Sequence, residues 1–185
     1  MPRLYPPTLG GLWRQSPGKH GSISGQSLAM YEIVKLLHLV AGVIWLGGMT
    51  FMLLALRPAV MAQMEPQPRA RLMASVWGRF FPVVLGAIGV LFFTGMNLYT
   101  TAFRAIKAAT GAGGVPLGWN LMVIAGLAMM LVFGHIFFAG FRKFKRALVQ
   151  SDWPIVAATS TQIHRLMIVN FVLGWFAVCA VRLIR

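Results

Sequence analysis

Three of the four histidines in this 185-residue chain, His38, His135 and His164, lie inside long apolar runs. An ionisable side chain at membrane depth costs roughly 2.5 to 3.5 kcal/mol on insertion scales, so each of them asks for a partner or a purpose. Imidazole is a good ligand for iron, copper and zinc. Counted by helix rise from the ends of their apolar runs, His135 lies about 9 Å and His164 about 6 Å from the same side of the membrane, on consecutive helices. A pair at nearly one level could clamp a metal or the two faces of a haem iron. His38 lies about 12 Å below the opposite side, which leaves roughly 18 Å between it and the other two. One ion cannot take all three, so either there are two sites, or one histidine is structural, or the helix ends lie elsewhere than hydropathy sets them. Lone histidines also brace neighbouring helices by hydrogen bonding and do nothing more.

His38 carries the most information. Steps of three or four residues along its helix give Lys35, His38, Gly42, Trp45, Met49 and Met52 on one stripe. A cation, an imidazole, an indole and two thioethers make an unusual lipid-facing surface, so the stripe is expected to face the protein interior. Thioether and imidazole together suit Cu(I), and a glycine beside a histidine leaves room for a flat macrocycle. The competing reading is packing, because methionine fills gaps in apolar helices and the chain's 12 methionines are spread over all its apolar runs.

The elements that must position these groups follow from hydropathy. Of the residues, 58% are hydrophobic and 11% charged, too apolar for a soluble domain. Four stretches, about 30–57, 79–101, 117–141 and 160–182, are long enough as helices to cross a hydrocarbon core of about 30 Å. Arg57-Pro58 is expected to end the first, Pro82 to lie in the first turn of the second, and the basic cluster Arg142, Lys143, Lys145 and Arg146 to stop the third. Short connections imply antiparallel neighbours. The expected fold class is therefore an all-α integral membrane protein, a four-transmembrane-helix antiparallel bundle over residues 30–185. Residues 1–29 read as a disordered leader rich in Pro, Gly and Ser, without the apolar core of a secretory signal; Met30 offers an alternative start.

The net charge of +14, from 17 basic and 3 acidic residues, would suit nucleic acid in a soluble protein. Here the charges cluster at the ends of apolar runs and read as anchors to anionic headgroups, with no nucleic-acid partner. Nine basic residues fall on the side of the two hairpin connections and five on the other, or eight with the leader, which favours termini outside the cytoplasm. With only Glu32, Glu65 and Asp152 as acids, no intramembrane carboxylate pair exists for proton-coupled transport. There is no phosphate loop, zincin helix or Cys-x-x-Cys motif, and the single Cys179 forms no internal disulfide. A hydrolase or nucleotide-driven pump is not expected, and any enzymatic activity would be that of a haem-dependent membrane oxidoreductase.

Residues 32–49, EIVKLLHLVAGVIWLGGM, followed by LRPA at 56–59, resemble the membrane domain of CopD-type copper-resistance proteins. That family's pattern of lysine, histidine, tryptophan, glycine pair and Arg-Pro-Ala exit is matched at Lys35, His38, Trp45, Gly47, Gly48, Arg57, Pro58 and Ala59; beyond the first span the likeness lies in span lengths and in RLMIVN at 165–170. The resemblance implies an inner-membrane copper-handling protein, with a periplasmic copper protein as partner. The HemJ-type protoporphyrinogen oxidases are similar in the same first-span residues and in Gly118-Trp119 and His135 of the third span, which implies haem b and a quinone or redox partner. Asn120 and Leu121 stand where that family has a lysine, and the fourth span lacks its Asn-Glu-x-Pro. A small accessory subunit of a larger membrane complex, or a homo-oligomer, needs no chemistry from the histidines at all.

Overall fold

Apolar stretches without internal strand signals form helices, and every regular element among the described residues is helical. The computed structural model describes residues 20–111 and 113–184. By contacts the chain divides into residues 1–33 and 34–185, the described part of the first being the start of α1. In chain order the elements are α1 (His20–Phe51), a π-helical segment (Met52–Leu56), α2 (Arg57–Gln63), α3 (Pro66–Thr110), α4 (Leu117–His135), a second π-helical segment (Ile136–Phe141), α5 (Arg142–Val149) and α6 (Trp153–Leu183).

The helices outrun the spans that hydropathy marks. Residues 20–29, expected within an unstructured leader, are helical; residues 1–19 of that leader lie outside the described residues. Arg57-Pro58 does not stop the first helix. Proline forbids the hydrogen bond to residue i−4 in a regular helix, and the wide turn at Met52–Leu56 immediately before it relieves that constraint and lets the chain continue through α2. Pro82 sits in the interior of α3, not in its first turn. The basic cluster at 142–146 forms α5 instead of ending the third helix, because arginine and lysine are good helix formers. The chain turns at Gln150–Asp152, and α6 starts seven residues before the expected Ser160 because Asp152 caps it, its Oδ1 accepting from the Ile155 N–H at 3.2 Å.

Two hairpins are visible from their registers. His38 meets Thr94, and Gly48 meets Phe80, so α1 runs antiparallel to α3. Gly118 meets Ala180 and Ile184, and Gly140 meets Ile163, so the stretch from α4 through the second π-helical segment runs antiparallel to α6. Gly118 is where the backbones close in: a Cβ there would overlap the carbonyl oxygens of Ala180 and Ile184, so only glycine fits. Within residues 34–185 the core centres on Phe81. Its ring stacks on Trp77 at 6.1 Å and takes the edges of Phe133 at 5.7 Å and Phe141 at 5.2 Å, tying α3 to the helices of the second hairpin.

Four helical stretches are long and apolar enough to cross a membrane: Ser27–Gln63, Pro66–Thr110, Leu117–Val149 and Trp153–Leu183. Only 22% of the apolar window of each is buried in the protein. The exposed remainder includes Leu36, Leu39, Val43, Phe93, Leu131, Val172 and Trp175, far more apolar surface than water tolerates on one protein.

Candidate functional site

The inward face of α1 follows its periodicity from His38 onward, but Lys35, expected on the same stripe, does not turn inward. Trp45, Met49 and Met52 are 3%, 2% and 4% exposed, while His38 and Gly42 are half-buried and Lys35 is exposed. Trp45 packs edge-on against Phe133 of α4 with ring centroids 6.1 Å apart, and its buried Nε1 has no hydrogen-bond partner.

His38 is held by α3. Its Nδ1 lies 2.9 Å from Thr94 Oγ1, and the Thr94 hydroxyl lies 2.6 Å from the Val90 carbonyl oxygen. A hydroxyl has one proton to give, and that proton is committed to Val90, as it commonly is for threonine in an apolar helix. Thr94 therefore accepts from the imidazole Nδ1–H, with the Leu91 backbone carbonyl as a second acceptor for the ring beside it, and in this tautomer Nε2 carries the lone pair that can ligate. The next residue, Gly95, makes room: a Cβ there would lie 3.1 Å from His38 Cε1. Neither residue is marked as a partner of His38 by the sequence, although Thr94 is one of the few polar interruptions of its apolar run.

At the other end of the stripe, near the connection between α2 and α3, a cavity of about 10 Å³ is lined by Met52, Leu53, Arg57, Met73, Trp77, His164 and Met167. It borders a larger groove of about 600 Å³ with which it shares Arg57, Met73 and Trp77. The groove continues along Glu65, Arg69, Trp153 and Ser160. Trp77 is buried with its Nε1 unpartnered.

The sequence pairs His135 with His164, and the structure separates their surroundings. His135 is exposed on the outside of α4, whereas His164 is half-buried and alone of the three histidines lines these cavities. Helix rise gives the level of a side chain but not its azimuth, and the two point to different environments. Among the described residues no three His, Cys, Asp or Glu side chains gather in a metal-holding group.

Fold and site together define an all-helical protein with four helices of membrane-crossing length and apolarity, and a histidine, indole and thioether face turned inward from the first. The chain is similar to the copper transport protein CutJ of Bacillus subtilis (strain 168), 30% identical over 128 residues that make up 66% of this chain and 22% of that protein. It thus spans about a fifth of the length of this curated relative. No protein-family model matches the chain, and no solved structure matches it.

Proposed function

We propose that this chain is a multi-pass protein of the bacterial inner membrane that handles copper within or across the bilayer. The observation that carries the reading is the similarity to a copper transport protein over two-thirds of the chain. In this reading residues 30–185 are the transmembrane domain, the four helices form an antiparallel bundle, and both termini lie on the periplasmic side. A soluble periplasmic copper protein delivers or receives the ion.

His38 is the proposed copper ligand on the periplasmic half. The support is local: Nδ1 is engaged by Thr94, Nε2 is available, and the ring begins a buried face that continues through Trp45 to Met49 and Met52. Copper is the cargo, and the soft, uncharged groups below His38 suit its reduced ion.

The test is cellular copper content in a strain lacking the chain, complemented with the wild type or with His38→Ala. The expected result is that the wild type shifts copper content and that His38→Ala abolishes the shift. Equal copper in all strains overturns the reading. A Soret band in the purified protein that disappears in His38→Ala would transfer His38 to a haem protein instead.

A further inference from the structure

We propose that Met52, Met73, Met167 and His164 form a second site, one that holds a single Cu(I) ion by three thioether sulfurs and one imidazole nitrogen. The choice of copper as the ion rests on the function proposed above; the site itself rests on the cavity. These four side chains come from three separate helical stretches, the first π-helical segment, α3 and α6, and they converge on one space of about 10 Å³. That is close to the smallest volume that admits a water molecule, so it takes one small guest and no more. Methionines that served only to fill the core would be expected to close such a gap, because the thioether side chain is flexible enough to do so.

The chemistry of the lining selects the guest. Thioethers are neutral, soft donors that favour Cu(I) and bind hard divalent cations poorly. The lining holds no carboxylate and one cation, Arg57, which penalises a divalent ion more than a monovalent one. Glu65 lines only the outer groove. Met52 reaches the cavity from a π-helical turn, an element that concentrates at functional sites in other helices. The adjoining groove shares Met73 with the cavity and provides the path by which an ion arrives from the side of the α2–α3 connection. His38 and this cavity lie at opposite ends of the α1 stripe, about 21 Å apart by helix rise over 14 residues, so the molecule has one ligand group near each end of the path.

The experiment uses the purified full chain in lipid nanodiscs with Cu(I) kept reduced by ascorbate, in competition with the chromophoric Cu(I) chelator bicinchoninate. Leucine replaces methionine at nearly constant volume, so Met73→Leu and Met167→Leu keep the packing. Loss of outer-shell partners of a metal commonly costs 10- to 100-fold in affinity, so loss of one sulfur ligand is expected to cost at least about tenfold and loss of both to empty the site. Met96→Leu, at an exposed position, leaves binding unchanged. Ag(I) displaces the ion and Zn(II) does not, and X-ray absorption of the copper edge shows sulfur neighbours that persist in His38→Ala. The proposal is overturned if the Met73→Leu/Met167→Leu double variant retains this copper, if Zn(II) displaces it, or if no sulfur surrounds it. Sulfur-bound Cu(I) in a chain whose deletion leaves cellular copper unchanged would uphold the site and overturn the function.

Discussion

His38 and Thr94 are joined by a 2.9 Å hydrogen bond between α1 and α3, in which the imidazole Nδ1–H is the donor because the threonine's own proton is given to Val90. The Thr94 hydroxyl, with the neighbouring Leu91 carbonyl, thereby orients the ring and sets which nitrogen is left for a ligand.

Thr94→Val keeps the shape of the side chain and removes the acceptor. Copper binding at His38 is expected to weaken 10- to 100-fold, with Thr94→Ser close to wild type. Titration of Cu(I) into the two variants, on a background lacking Met73 and Met167 sulfurs, checks it; equal affinities would mean that Thr94 does not position the ring.

Gly95→Ala sets a methyl 3.1 Å from His38 Cε1, so the ring must yield by a few tenths of an ångström. The expected outcome is weakened binding at His38 with little loss of stability. Gly89→Ala, with nothing within 4 Å of the new methyl, is expected to be neutral or stabilising. Melting temperatures in detergent beside copper titrations separate the two effects.

Gly118→Ala is the severe substitution. Its methyl meets backbone oxygens of Ala180 and Ile184 that cannot rotate away, so α4 and α6 must separate. A loss of about 1–3 kcal/mol is expected, as for overpacking elsewhere. Denaturant unfolding in mixed micelles measures it, and wild-type stability would refute the close approach.

His135→Ala is expected to leave copper content untouched and not to destabilise the protein, because the ring lies on the outside of α4, away from both cavities and without a buried contact to lose. The comparison with His164→Ala is the informative one, since only His164 lines the thioether cavity.

Much of this architecture is legible in the sequence. The four apolar stretches and the inward stripe through Trp45, Met49 and Met52 follow from hydropathy and the 3.6-residue period, and the burial of those side chains agrees. Partnerships between helices do not follow. Thr94 reads as a polar interruption until its helix is seen beside α1, and Met73 and Met167 are two methionines among 12 until they line one cavity. The π-helical segments add a second obstacle: each inserts about one residue per turn and rotates the downstream helix by roughly 100° relative to a regular one, which no fixed period anticipates.

The 45 residues of α3 amount to about 68 Å of helix, more than twice the roughly 30 Å of a hydrocarbon core. If its apolar part from about Phe80 to Tyr99 lies in the lipid, the turns that carry Gln67, Arg69 and Met73 stand among headgroups and beyond. The mouth of the groove is then an aqueous basin bordered by Arg57, Arg69 and Glu65, and an ion leaving the thioethers would exchange with water-soluble chelators without meeting the hydrocarbon on that side.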